Sequence, residues 1–331
     1  MNRRPALVAA LVAALSLGLA ACSSAEPAPQ AEPDETATEA PGDGALRAVT
    51  IGALSISETA PLWAAVEAGV FEEHGLDVTV QPIQGGAQAM PALLNGDIDF
   101  SIGQPFGAMR ASLQGLDVKI IANYAQSLRD GDDINAVVVG AGSDITSPAD
   151  LAGKKVSVNS LGAAGDLTIM AAVEADGGDP STVQFVEVAF PDAAAQLEAG
   201  NIDAAWVPEP FVSMIVGAGG ARIVDPYRTV VPGLPTLVLQ TTGKTVADDP
   251  ELVEYVRLAF KAAFEWAEEN DEAVRQALVD EMSLPEPAAA NLRLPRFSTE
   301  LDVFVLQDLA DLAVKYEFFE SAPDLDELVS Q

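Results

Sequence analysis

The apolar positions of this chain follow one pattern that is written twice. Leu93-Leu94-Asn95-Gly96-Asp97-Ile98-Asp99-Phe100 returns nearly unchanged as Leu197-Glu198-Ala199-Gly200-Asn201-Ile202-Asp203-Ala204. In each copy an alanine-rich run of helix-favouring side chains ends at a glycine suited to a left-handed C-terminal cap, and a short apolar strand follows. Pro105-Phe106 comes after the first strand and Pro210-Phe211 after the second, each expected at the first turn of a further helix. Upstream, Val49-Thr50-Ile51-Gly52 and Lys155-Val156-Ser157-Val158 read as buried opening strands. Leu76-Asp77-Val78-Thr79-Val80 and Val183-Gln184-Phe185-Val186-Glu187-Val188 read as the second strand of each copy. Strand, helix, strand, helix, strand is a parallel α/β pattern. A unit of roughly a hundred residues is too long for a solenoid repeat, so it predicts two similar lobes with a cleft between them. Ligands of open α/β sheets bind beyond the carboxyl ends of the strands, which places the loops beginning Gly103-Gln104 and Val207-Pro208 at that cleft.

The start of the chain differs in kind. Arg3 and Arg4 precede an apolar run over residues 6–19 with no acidic residue, the layout of a secretory signal in residues 1–21. The run is short for a membrane span. It ends in Leu19-Ala20-Ala21-Cys22, which resembles the lipobox of bacterial lipoproteins and implies cleavage before Cys22 and a lipid on its sulfur. Cys22 is the single cysteine of the chain, so no disulfide can form within a monomer. Residues 22–45 are mostly Ala, Pro, Glu, Asp, Thr and Gly, too poor in large apolar side chains to offset the entropy of ordering. They read as a lipid anchor followed by a disordered acidic linker.

Composition narrows the partners. The 331 residues carry 17 Lys and Arg against 50 Asp and Glu, a formal charge of −33, and beyond Arg3-Arg4 the pair Lys154-Lys155 is the only basic cluster. Nucleic acid, whose phosphates need a basic face, is therefore excluded. The effector domain of a transcription regulator is also set aside, because a secretion signal stands where a helix-turn-helix would be required.

The order of the motifs carries a resemblance. The first lobe opens with residues 49–54, the loop Ser55-Ile56-Ser57-Glu58-Thr59-Ala60-Pro61, and Leu62-Trp63-Ala64-Ala65-Val66-Glu67-Ala68-Gly69-Val70-Phe71. Glu73-His74-Gly75-Leu76, Gln84-Gly85-Gly86-Ala87-Gln88 and the Asn95-Gly96-Asp97-Ile98-Asp99 phrase follow, with Asp150-Leu151-Ala152-Gly153-Lys154-Lys155-Val156 and Trp206-Val207-Pro208-Glu209-Pro210 in the second lobe. Over essentially the whole region after the linker, this is similar to the substrate-binding proteins of ABC importers in the family of sulfonate, taurine, nitrate and thiamine-pyrimidine binders. The resemblance implies an α/β, two-lobed periplasmic-binding-protein fold of type II, with a ligand cleft between lobes joined by two hinge crossings. It implies a monomer that binds a small-molecule ligand, is held on the outer face of the cytoplasmic membrane through lipidated Cys22, and hands its ligand to an ABC permease with its ATPase. The boundaries expected are residues 46–133 with 236–331 for the first lobe and 134–235 for the second, with crossings at the extended runs 133–139 and 234–241. Residues 251–282 and 299–319 read as amphipathic helices on the first lobe's flank, and 283–298 as a loop.

Five groups of strand-end residues are candidates for ligand contact. Ser57, Glu58 and Trp63 come from the first loop, with Trp63 divided between core and cleft wall. Gly85, Gly86 and Gln88 precede a helix whose N–H groups can hold an anionic group, or simply make a tight turn. Ser160, Gly162, Gly165 and Asp166 repeat that logic in the second lobe, where Ser160 either caps a helix or binds. Gln104 and Phe106 match Glu209 and Phe211, with capping an equal role for Glu209. Asn123 and Tyr124, after the strand at residues 118–122, complete the set. The acidic members Glu58, Asp166, Asp192 and Glu209 outweigh Arg110 and Arg129, neither of which falls in a strand-end loop, so the balance favours a neutral or amine-bearing heterocycle of the thiamine-pyrimidine kind over an organic sulfonate, nitrate or aromatic acid. Related pyrimidine synthases depend on histidine and a cysteine-rich iron motif. Here His74 and Cys22 are the only such residues, which argues against an enzyme, a metal site or a cofactor. A sensor that binds solute without feeding a transporter fits the same residues.

Overall fold

The computed structural model describes residues 46–330; the expected secretion signal, Cys22 and the expected acidic linker lie outside the described residues. Each copy of the repeat builds the centre of one sheet. In the first, β1 (Arg47–Ala53) pairs in parallel with β2 (Leu76–Pro82) and with β3 (Phe100–Gly103). The connections are α1 (Ala60–Glu67) with α2 (Val70–Glu73), then α3 (Gly86–Asn95), and α4 (Pro105–Leu113) leads on to β4 (Val118–Gln126). The chain then enters the second sheet with β5 (Asn135–Val139), β6 (Lys155–Val158), α5 (Ala164–Ala175), β7 (Gln184–Glu187) and α6 (Ala193–Glu198). That sheet is completed by β8 (Ala204–Pro208), α7 (Phe211–Gly217), β9 (Ala221–Val224) and α8 (Pro226–Val230).

It returns through β10 (Pro235–Thr242) and α9 (Gly243–Asp248) to the flank, formed by α10 (Pro250–Glu269), α11 (Asp271–Met282) and α12 (Glu286–Asn291). Last come β11 (Arg296–Phe297), α13 (Val303–Lys315) and α14 (Leu325–Leu328).

The glycines that mark the repeat take the left-handed backbone the pattern requires, with φ of 79° at Gly96 and 69° at Gly200, where a side chain would be strained. Pro105 occupies the first turn of α4 as expected. Pro210 sits one position earlier than expected, as the N-cap of α7, after a cis bond from Glu209.

The sheets are mixed rather than wholly parallel. The six-stranded order is β11-β4-β10-β3-β1-β2 and the five-stranded order is β7-β6-β8-β5-β9. The edge strand β11 is antiparallel to β4, and in each sheet a central strand runs antiparallel between its neighbours: β10 between β3 and β4, and β5 between β8 and β9. Both are the first strand laid down after the chain arrives from the other sheet. The extended runs expected to be crossings are thus interior strands, buried on both faces. The chain passes between sheets in segments 127–134 and 225–234 instead.

Two further expectations change. The helical run at 251–282 is split at Asn270, whose side-chain amide turns back to the Trp266 carbonyl (2.8 Å), giving α10 and α11. The stretch 283–298 contains α12 and the edge strand β11, which pairs with the end of β4. The first sheet's core holds Phe71, Tyr124, Phe260 and Phe264 in edge-to-face contacts; the second is centred on Trp206, Phe190 and Tyr227.

Candidate functional site

A cavity of about 640 Å³ lies between the two sheets at the carboxyl ends of β3 and β8, where the topology places a ligand. From the first sheet's side it is lined by Glu58, the N-terminus of α3 at Gly85 and Gly86, Ser101 and Gln104, and by one face of α4. Phe106 and Arg110 stand one turn apart on that face, with the guanidinium 5.4 Å from the ring centre. From the second sheet come Asn135, Trp206 and Pro208, the loop 159–163, and Tyr227 of α8; Thr236 and Gln240 of β10 close the floor.

Several of these groups are buried with their hydrogen-bonding capacity unused. Ser101 Oγ, Asn135 Nδ2, Trp206 Nε1 and Tyr227 Oη belong to cavity-lining residues exposed by 3% or less and have no partner within the described protein. Most buried polar atoms in folded proteins are paired, so four such atoms around one cavity mark a place where a bound molecule completes them. Glu58 adds a carboxyl. Its Oε1 accepts from Thr236 Oγ1 (2.6 Å), and no cation pairs with it among the described residues. Burial pushes its pKa up to about 7, against the Thr236 hydrogen bond and with a smaller push from Asp133.

The sequence candidates divide. Glu58, Gly85, Gly86, Gln104, Phe106, Ser160 and Gly162 line the cavity. The others do not. Trp63 faces α11 across from Ala277 and Asp280, outside the cleft. Ser57 is sealed, its hydroxyl donating to the Glu209 carbonyl (2.9 Å), a link from the first sheet's side to the second's. Gln88 turns back within its own helix start, where its Oε1 accepts from Gln84 N (2.9 Å). Asn123 and Tyr124 belong to β4, which runs four residues further than the pattern indicates. Asn123 donates to the Ser298 carbonyl (2.8 Å), and Tyr124 packs edge-on against Phe264.

The second-lobe candidates are used for structure. Asp166 caps α5 by accepting from the N–H groups of Gly162 (2.6 Å) and Ala163 (2.7 Å), while burial outweighs those bonds and moves its pKa up to about 6. Gly165 gives Trp206 room, since a Cβ there would stand 2.9 Å from the indole. Glu209 accepts from Ser213 N (3.0 Å) and Oγ (2.9 Å), and burial raises its pKa. Phe211 stacks on Phe190. Asp192 is exposed.

Arg110 is the group that strand-end reasoning leaves out. It sits in mid-helix, and its i,i+4 relation to Phe106 is the signal that turns it toward the same cavity. With Asp166 and Glu209 occupied as caps and Arg110 present, the cleft is much less acidic than the loops suggest. Its exposed rim adds Glu187, while His74 lies at the end of α2, away from the lining.

Matching sheets that share a cavity at their carboxyl ends define a periplasmic-binding-protein fold. The alkanesulfonate-binding protein SsuA from Xanthomonas axonopodis pv. citri has the same architecture, with a TM-score of 0.74 at 17% identity over 86% of this chain and 98% of that one. The chain belongs to the NMT1/THI5 like family, whose model matches residues 56–274. A formylaminopyrimidine-binding protein of Halalkalibacterium halodurans is 28% identical over 231 residues, 68% of each chain. A putative aliphatic sulfonates-binding protein of Bacillus subtilis is 26% identical over 218 residues, again covering 64% of each chain.

Proposed function

We propose that the protein captures a small organic molecule in this cleft outside the cytoplasm and delivers it to the permease of an ABC importer. The lobes that close on the ligand are residues 46–133 with 236–331 and residues 134–235, a division that the two sheets support apart from Pro235, which opens β10 of the first sheet. The chain is held at the membrane by a lipid on Cys22. Replacing Cys22 by Ser should release the protein from the membrane fraction into the soluble one; retention of the variant at the membrane would remove the anchor from this reading.

The observation that carries the ligand assignment is the set of four unpartnered polar side chains beside a carboxyl without a cation. An anion buried among Glu58, Ser101, Asn135, Trp206 and Tyr227 would meet donors, but an ionised Glu58 would repel it, and Arg110, the one cation among the described lining residues, is engaged by the Gly162 carbonyl. A neutral or amine-bearing heterocycle suits the same wall: its ring acceptors take the donors, its amine meets Glu58, and its faces pack on Phe106 and Trp206. The relatives are named for both ligand kinds, so the choice is tested by a thermal-shift screen with formylaminopyrimidine, related heterocyclic amines, alkanesulfonates, taurine and nitrate. A true ligand at a hundredfold excess over its dissociation constant stabilises the native state by about 3 kcal/mol. A shift with heterocyclic amines that is lost in Glu58→Gln supports the reading. A shift confined to the sulfonates would move recognition to the N-terminus of α3 at Gly85-Gly86, which also lines the cavity.

A further inference from the structure

Helix α5 of the second lobe is gripped at both ends by the first. Just before its N-terminus, a guanidinium nitrogen of Arg110 on α4 donates to the main-chain carbonyl of Gly162. In its last turn, Glu174 accepts from Lys315 Nζ and Tyr316 Oη, at the end of α13. The two grips share one base. Phe106 stacks on Phe319 with ring centres 4.5 Å apart and meets Phe318 edge-on at 6.1 Å, so α4 and the segment following α13 are packed as a unit. Arg110 lies over the same Phe106 ring, its guanidinium carbon 5.4 Å from the ring centre.

The seat for the guanidinium is specific to glycine. Gly162 has φ +65°, and a Cβ there would fall 2.9 Å from a guanidinium nitrogen of Arg110. A side chain at this position would be strained in backbone and would push the arginine off its acceptor.

We propose that Arg110 is a latch residue: by holding the Gly162 carbonyl it positions the loop 159–163 across the cavity and keeps α5 seated on the first lobe. Lys315 and Tyr316 are the counter-anchor at the far end of the same helix. An arginine donating to a carbonyl at a half-buried position is a charge-assisted bond that lobe opening must break. The Glu174 pair is solvent-exposed and adds little by itself, so the balance between closed and open lobes rests on Arg110. Because the same side chain lines the cavity, any molecule bound against α4 is held by the element that shuts the lobes. The inference goes beyond the proposed transport role, and it is tested without any ligand.

The test is amide hydrogen exchange read by mass spectrometry on the full chain and its variants. Arg110→Met keeps the packing on Phe106 and removes the donor. In it, amides of residues 159–168 and of β8 at 204–208 on the second-sheet side of the cavity should exchange about tenfold faster, while α10 and α11 keep their protection. Arg110→Lys restores a charged donor and should recover most of the protection at both places. The combined Glu174→Gln and Tyr316→Phe changes should speed exchange only in the last turns of α5. Unchanged exchange in Arg110→Met would overturn the latch, as would equal acceleration in α10 and α11, which would report general loss of stability. A lysine variant as open as the methionine one would also overturn it, because the donor would then not be what holds the loop. Unaltered exchange in the double variant would remove the counter-anchor.

Discussion

Glu58 is where protons reach the cleft. It is 2% exposed, and its pKa rises from 4.5 to about 7 because burial disfavours the ionised form. A carboxyl that binds its proton more tightly folded than unfolded stabilises the fold fully below pH 4.5, and that contribution drains away as the pH climbs to about 7. The shift corresponds to about 3 kcal/mol. Glu58→Gln, which cannot ionise, should therefore flatten the fall in urea-unfolding free energy between pH 4.5 and 7 and leave the variant more stable than the parent at pH 8. Asp166 and Glu209 shift in the same direction, and the difference between variant and parent isolates Glu58 from them. Parallel curves for the two proteins would show that Glu58 is ionised in the fold at the lower pH. Which residues meet in the cleft was only partly readable in the chain. Strand-end loops gave Glu58, Gln104 and Ser160 because position alone brings them there. Asp166 and Glu209 stand at helix starts, where a carboxylate serves the helix as readily as a ligand, and residue type cannot separate the two roles. Ser101, Asn135 and Tyr227 carry no motif, and only the meeting of two sheets makes them neighbours.

Helix starts and stops show how local chemistry sets the elements. Helix α10 begins at Pro250 behind Asp249, whose carboxylate accepts from Leu252 N (3.0 Å) and also pairs with Arg47 at the head of β1. The cap satisfies an N–H that has no partner inside the helix, and the surface ion pair adds little. Asp249→Ala should cost about 1 kcal/mol, seen as a lower urea midpoint with an unchanged slope, and Asp249→Asn, which keeps the acceptor, should recover most of it. Equal losses in both variants would assign the stability to the ion pair instead. The repeated strands and the caps at Gly96 and Gly200 were legible because their signals are local. The face of α1 was not: Ala60, Pro61, Leu62, Ala64 and Ala65 are all buried, so the pattern has no polar side to orient Trp63, and it turns to α11. The end of β4 was hidden for a related reason. Asn123 looks like a loop residue, yet its Nδ2 donates to the Ser298 carbonyl and it sits within the strand in the core.

For the whole molecule, the repeat predicts more than it displays. Its strands account for β2-β1-β3 and β7-β6-β8, and the strand that completes each centre comes from the chain's return: β10 in one sheet, β5 in the other. Apart from the edge strand β11, the two sheets then correspond in order, although β5 precedes its lobe's repeat and β10 follows both. No periodicity in the sequence announces that exchange, because an antiparallel interior strand is as apolar on both faces as a parallel one.

The placement of β10 has a consequence for a chain made from one end to the other. The second sheet uses only residues 135–224 and is complete as soon as they have been synthesised. The first sheet opens at residue 47 but lacks the strand that joins β3 to β4 until residue 242 has appeared. Until then both strands present bare backbone edges, the kind of surface that pairs with other chains. The lobe that begins first is thus finished last, and the whole of residues 127–234 is made while its partly built sheet has two edges still to be joined.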